Sequence, residues 1–333
     1  MRYILFSREC SEQRRRQVTA GVALAIDTRY YRHMLDLTNG QDAGLGALLP
    51  RSANLEITTA CQLACSHCPR QPGDDHLSPA LARAAMAALQ RAGVQFITLS
   101  YLGEPLLHPQ LEEILADATR LFPQVAFVTN GLALDRERAE LLLRFPLTRV
   151  GISLDDAHRV AAGATGWQAI TANAAAFHRR CAALGAAAPA LVVQSVLTTP
   201  PPAAAAVAAW LACADAVELR QEVPPHGLMP ETEDCIACPL AFRQVVVRHD
   251  GRVQVCCADM AGELAVGTLT GELAPVWQGA AAWRLRRQLL TGDVPELCRH
   301  CAGVSRPARA AYQAAATALA AELPGWPIAE DEG

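Results

Sequence analysis

Apolar runs of strand length alternate with longer stretches of helical period along most of this chain, and that alternation restricts the fold more than any other feature. The runs begin at Leu55-Glu56-Ile57-Thr58 and continue through Phe96-Ile97-Thr98-Leu99-Ser100 and Val125-Ala126-Phe127-Val128-Thr129, each followed by a turn signal and a helix candidate. Further strands are predicted at 150–154, 191–197 and 217–220, with helices near 79–92, 111–121, 136–143, 168–184 and 203–213. About six β–α units in series require a parallel sheet with right-handed crossovers. The expected fold class is therefore α/β, as an open sheet or a partial (β/α)6 barrel with parallel strands. Ligands in such folds sit at the C-terminal ends of the strands, so the loops that follow the strands are where chemistry is expected.

The 333 residues are enough for one large domain with an appendage. Pro224-Pro225-His226-Gly227-Leu228-Met229-Pro230 cannot continue regular structure and reads as a linker. The chain thus divides into an N-terminal extension (1–50), an α/β core (51–223), a small cysteine-rich domain (224–305) and a C-terminal helix and tail (306–333). Val245-Val246-Val247-Arg248 and Arg252-Val253-Gln254-Val255 form a hairpin around Asp250-Gly251, with helices expected at 30–37, 280–290 and 307–323. A net charge of −4 leaves no electrostatic footprint for nucleic acid, and Arg14, Arg15 and Arg16, the one dense basic run, read as a solvated face. No apolar run approaches the ~20 residues that span a bilayer. Residues 1–25 carry no charged segment leading into an apolar stretch and a small-residue cleavage site. A cytoplasmic protein is expected, with neither nucleic acid nor membrane as a partner.

Twelve cysteines in a reducing compartment are not a disulfide framework, which leaves metal binding as their leading use. Cys10, Cys181 and Cys213 stand apart and read as small buried residues; the other nine fall into two short regions. Cys61, Cys65 and Cys68 leave the first predicted strand directly. Three soft thiolates in one loop can hold three irons of a [4Fe-4S] cluster and leave the fourth iron open. A structural site would add a fourth ligand, and His67, between two of the cysteines, is the candidate for it.

The spacing of three and then two residues between cysteines after a first strand resembles the signature of the radical S-adenosylmethionine (SAM) superfamily. In that family SAM chelates the open iron and is cleaved reductively to a 5′-deoxyadenosyl radical, which abstracts a substrate hydrogen atom. The resemblance places His67 near the adenine. It extends to Tyr101-Leu102-Gly103-Glu104-Pro105, similar to the family's Gly-Gly-Glu-Pro segment, in which the glycine admits a close backbone approach and the carboxylate pairs with the SAM ammonium. Leu102 replaces the first glycine. Thr129-Asn130-Gly131 and Ser153-Leu154-Asp155 also resemble family segments, and Ser153 is implied as a contact for the SAM carboxylate or ribose; Asn130 and Ser153 equally suit turns and helix caps.

Cys235-x-x-Cys238, Cys256-Cys257 and Cys298-x-x-Cys301 flank the hairpin and would read first as a zinc ribbon. Beside a radical SAM core the layout is similar to C-terminal SPASM and twitch iron–sulfur domains, with Asp250-Gly251 and Trp277 in matching places. That resemblance implies one auxiliary [4Fe-4S] cluster on Cys238, Cys256, Cys298 and Cys301, with Cys235 as an alternative ligand and Cys257 as a hydrogen-atom donor or a packing residue. The implied function is abstraction of a hydrogen atom from a substrate, for oxidation or epimerisation of a biosynthetic small molecule such as an amino-sugar. The alternatives are maturation of a ribosomally made peptide, and a noncatalytic iron–sulfur or zinc module. An external reductant such as flavodoxin or ferredoxin is implied as a partner. Asp155, Asp156, His158, Glu218, Arg220 and Glu222 lie near strand ends as acid–base candidates.

Overall fold

The computed structural model describes residues 2–19, 49–66, 68, 73–197, 202–221, 238, 240–291, 293–299 and 301, with 314–315, 317–319, 321–323 and 328–331. In chain order, β1 (Arg2–Phe6) and α1 (Glu12–Thr19) come first. They are followed by β2 (Ser52–Leu55), α2 (Pro79–Arg91), β3 (Phe96–Leu99), α3 (Leu111–Leu121) and β4 (Gln124–Thr129). Next come α4 (Arg136–Leu143), β5 (Arg149–Ser153), α5 (Asp156–Leu184), β6 (Ala190–Leu197), α6 (Ala204–Leu211) and β7 (Ala216–Gln221). Strands β2 to β7 lie side by side in sequence order, every pair parallel. Val150 and Ile152 are fully buried, as is Val192 on the neighbouring strand, because helices cover a parallel sheet.

Local chemistry sets the helix starts. Ser78 caps α2 by accepting from the amide of Leu81, with Pro79 at the first helical position, and Asp135 caps α4 from Arg138. Ala82, Ala85, Met86 and Leu89 line the one face of α2 that packs on the sheet. The α5 segment starts at Asp156 rather than at 168 as predicted, because Asp155 caps a first helical run that breaks at Gly163 (φ 66°, ψ 177°), beyond which a second run continues to Leu184. Its alanine-rich first half carries little apolar periodicity.

The C-terminal part continues the same sheet. Helix α7 (Leu240–Arg243) leads into β8 (Gln244–Val247), which pairs parallel with β2; β9 (Arg252–Gln254) and β10 (Ala265–Thr268) follow antiparallel. Helices α8 (Ala274–Trp277), α9 (Ala280–Thr291) and α10 (Glu296–Arg299) come next. At the opposite edge β1 pairs antiparallel with β7 and with β11 (Ile328–Asp331), completing an eleven-stranded, mostly parallel sheet. Residues 2–6, within a stretch uninformative as sequence, therefore supply a strand between β7 and the edge strand β11.

The arginine run departs from the solvated face expected of it. Arg14 is buried and donates to the carbonyls of Gly185, Ala188 and Cys181, so it caps the C-terminal end of α5. Arg15 lies over the Phe6 ring, and Arg16 alone faces solvent. Cys10 and Cys181 are buried as expected, while Cys213 is partly exposed. The linker 224–230 and the helix at 30–37 lie outside the described residues; within 307–323, residues 314–315, 317–319 and 321 are helical.

Candidate functional site

The chain after β2 stays extended to the first cysteine and is pinned there by a returning segment. Thr59 donates its amide to the carbonyl of Asp75, Leu77 donates to Ile57, and the Thr58 hydroxyl meets His76 Nδ1 at 2.8 Å. The loop beyond carries Cys61, Cys65 and Cys68, all partly exposed, and folds back through a Cys68 amide to Cys65 carbonyl bond of 3.0 Å. Cys61 Sγ accepts from the Leu63 amide (3.5 Å) and from Asn130 Nδ2 (3.6 Å).

The segment after β3 lies directly on this loop. Gly103 has φ +79°, and a Cβ there would stand 2.3 Å from the carbonyl oxygen of Thr58, so only glycine fits. Next in the chain, the Glu104 amide donates to the carbonyl of Ala60 at 2.7 Å. The Glu104 carboxylate, 1% exposed, accepts from the Thr129 hydroxyl (2.7 Å), the Asn130 amide (2.6 Å) and the Leu106 amide (3.0 Å). Burial pushes its pKa up to about 7 against those bonds. The carboxylate that the resemblance assigns to the SAM ammonium thus also ties the loops after β3 and β4 together. Pro105 is buried and opens a short turn of 3-10 helix.

Ser153 ends β5 opposite Gln194 of β6, which in turn pairs with Glu218 of β7, so the three share one face of the sheet. Asp155 accepts from the amide of His158 (2.9 Å) and meets His158 Nδ1 at 2.7 Å; the other side of that imidazole reaches Cys65. Of the other acid–base candidates, Asp156 pairs with Arg159 in solvent, whereas Glu218 is fully buried between Arg220 (2.8 Å) and Arg149 (3.6 Å). His67, Glu222 and Cys235 lie outside the described residues.

The second group of thiols is only partly inside the fold, with Cys256, Cys257 and Cys301 partly exposed. Cys238 and Cys298 are buried. Burial raises the Cys238 thiol to about 11, reinforced by Cys301 and Cys257, and raises Cys256 well above its ordinary value, reinforced by Cys257, Cys238 and Cys301. Cys238, Cys256, Cys257 and Cys301 therefore lie near enough to influence one another, and the Cys301 amide donates to the carbonyl of Cys298. Among the described residues no three His, Cys, Asp or Glu side chains close on a single ion. Mutually repelling, desolvated thiols fit a polynuclear iron centre, whose positive charge deprotonates and holds its ligands. The first loop fits one as well, with three thiols at a strand end and N–H donors aimed at them.

A buried network that the sequence reading missed joins the two cysteine groups. Glu56, fully buried just past β2, accepts from Arg248 Nε (2.7 Å) and the His249 amide (3.2 Å), and meets His249 Nδ1 at 2.8 Å. Arg248 lies over the Tyr101 ring, and the Tyr101 hydroxyl donates to the carbonyl of Asp259 at 2.8 Å, in the turn that follows Cys256 and Cys257. The available signal was Glu56 itself, a carboxylate inside the apolar run Leu55-Glu56-Ile57.

Comparison with known proteins agrees with this geometry. Residues 55–187 match the family model described as the radical SAM superfamily, and residues 238–302 match SPASM, an iron–sulfur cluster-binding domain. A GTP 3′,8-cyclase of Mycolicibacterium smegmatis (strain ATCC 700084 / mc(2)155) is 40% identical over 110 residues, 30% of this chain and 30% of its own length. The chain thus aligns with about a third of the length of the curated relatives it matches. Among solved structures, BtrN in complex with AdoMet and 2-DOIA superposes with a TM-score of 0.50 at 16% identity, over 76% of this chain and 93% of that one. Streptococcus suis SuiB bound to S-adenosylmethionine gives 0.51 at 12% identity, over 78% and 70%.

Proposed function

The chain is a radical SAM superfamily enzyme with a C-terminal SPASM iron–sulfur domain, and we propose that it abstracts a hydrogen atom from a polar small molecule such as an amino-sugar, for oxidation or epimerisation. The domains carry SAM, a [4Fe-4S] cluster and an auxiliary cluster as cofactors. When bound, they supply one-electron cleavage of SAM to a 5′-deoxyadenosyl radical. Cys61, Cys65 and Cys68 are the residues to hold the first cluster, and Cys238, Cys256, Cys298 and Cys301 the second, with Cys257 beside them as the candidate hydrogen donor. Gly103 admits the backbone close to the cysteine loop. Glu104, Asn130 and Ser153, at the ends of β3, β4 and β5, are the polar groups available to orient SAM. Reducing equivalents are assigned to a flavodoxin or ferredoxin and the location to the cytoplasm; no described helix is long and apolar enough to cross a membrane.

The observation that carries the reading is one loop of three thiols at the end of β2, with Gly103 and Glu104 packed on it. For the substrate, support comes from Glu56 Oε1 and Gln194 Nε2, two of eight buried side-chain polar atoms without a hydrogen-bond partner among the described residues. One accepts and one donates, as hydroxyl and amino groups require. Alignment of a third of the chain with GTP 3′,8-cyclases supports the shared chemistry and leaves the substrate to such residues.

Anaerobic reconstitution tests the reading. About eight irons per chain are expected for two [4Fe-4S] clusters, falling to about four, with no 5′-deoxyadenosine formed, in C61A/C65A/C68A. Formation of 5′-deoxyadenosine at the parent rate by that variant would refute it. An amino-sugar deuterated on its ring carbons should pass deuterium to 5′-deoxyadenosine; transfer from a peptide instead would select the maturase alternative.

A further inference from the structure

Asn130 is held in one orientation by its neighbours. Its Oδ1 accepts from the Leu132 amide at 3.0 Å, and its own amide donates to Glu104 at 2.6 Å. An N–H cannot face the amide nitrogen of another donor, so the bond from Leu132 fixes which side of the Asn130 carboxamide is oxygen. Its Nδ2 is then directed at Cys61 Sγ, 3.6 Å away, and at Gln62 Oε1, 3.4 Å away. Gln62 Nε2 returns a bond of 3.3 Å to Asn130 Oδ1, which closes the pair. Asn130 is 6% exposed, and the turn it shapes continues into Gly131 at φ +80°, where a Cβ would crowd Ile152 and Ile170. Both backbone and side chain are therefore committed to a geometry that ends on a sulfur.

We propose that Asn130 is a positioning residue for the first cluster, its side-chain amide donating to the Cys61 thiolate and raising the cluster's reduction potential. This rests on Cys61 being a cluster ligand, as argued above, and differs from the SAM contact implied for Asn130 by resemblance. An N–H dipole aimed at a ligating sulfur stabilises the added negative charge of the reduced state, and hydrogen bonds to the sulfurs are among the terms that set such potentials. The Leu63 amide, 3.5 Å from the same sulfur, is a backbone donor that substitution leaves in place. Asn130 is thus a donor to Cys61 that side-chain substitution can remove.

The test compares N130D and N130S with the parent, all reconstituted anaerobically. Asp and Ser can each accept from the Leu132 amide and so preserve the turn, but neither presents the carboxamide N–H. The readouts are iron content, the midpoint potential by EPR-monitored titration, and SAM affinity. We expect parent iron content and a reduction equilibrium about tenfold less favourable, a shift of about 59 mV to more negative potential for one electron, with SAM affinity recorded separately because Asn130 is also available to orient SAM. N130D should move further than N130S because it adds a negative charge. An unchanged potential in both variants overturns the proposal, whether or not SAM binding weakens, as does loss of the first cluster's iron in both. Failure of the cluster assignment itself would appear separately, as a parent protein that assembles no cluster on Cys61.

Discussion

The loop of Cys61, Cys65 and Cys68 and the group of Cys238, Cys256, Cys257 and Cys301 surround the same side chain with different neighbours. The first three are partly exposed, built into a loop whose neighbours Gly103, Glu104 and Asn130 come from two further strand ends. In the second group Cys238 is buried and Cys256, Cys257 and Cys301 are partly exposed, but desolvation and the neighbouring thiols push Cys238 and Cys256 upward. A cluster that must meet a second molecule needs the first arrangement, open to one side with polar groups around it. A cluster that exchanges electrons or holds a domain in shape needs only the second. Glu56, Arg248, His249 and Tyr101 form the bridge between the two, so each setting is positioned by the other.

Breaking that bridge should have the largest effect. Arg248→Met leaves Glu56 as a fully buried carboxylate without its cation, and loss of one partner of a buried pair typically removes about 3–5 kcal/mol. Urea denaturation should report a loss of that size, with the iron of both groups released at lower urea than in the parent; earlier release from one group alone would mean that the two settings are not joined through Glu56.

A second effect sharpens the contrast from the side of the first loop. Glu104 titrates near 7 in the folded protein and near 4.5 when exposed, so between those values the unfolded chain gives up its proton first. The group therefore opposes folding increasingly as pH rises through that window. At about 1.4 kcal/mol per pH unit the penalty approaches about 3 kcal/mol above pH 7. Without SAM, the parent should lose more stability than Glu104→Gln between pH 4.5 and 7.5; parallel profiles would remove Glu104 as a strained group. The smallest effect belongs to Tyr101→Phe, which deletes the bond to Asp259 and should lower stability by about 1 kcal/mol. Hydrogen exchange should rise in residues 256–262 and remain at the parent level in residues 61–68.

Much of this organisation was legible in the chain. Five of the six core strands follow from apolar runs because parallel strands are buried on both faces, and the hairpin follows from Asp250-Gly251; the first strand lies at Ser52–Leu55, three residues ahead of the run Leu55-Glu56-Ile57-Thr58 expected to form it. Cys61, Cys65 and Cys68 were legible because their spacing is local and follows a strand. What could not be read depends on contacts distant in sequence. Arg14 looks like one of three solvated arginines until the end of α5 arrives beside it, and Glu56 acquires its meaning from Arg248, 192 residues away. The first half of α5 was missed because alanine and glycine dilute its periodicity, although Asp155 was available as a cap. The likeness of Asn130 to a family segment pointed toward SAM, whereas its bond to Cys61 depends on how two loops meet.

The central claim, that the first loop presents a cluster to SAM while the second group holds one that SAM does not meet, is tested most directly by EPR of the reduced protein before and after SAM is added. The signal absent from C61A/C65A/C68A should change shape on addition of SAM, while the signal retained by that variant stays the same. A spectrum in which SAM alters neither signal, or alters only the one that survives in the variant, would contradict the account.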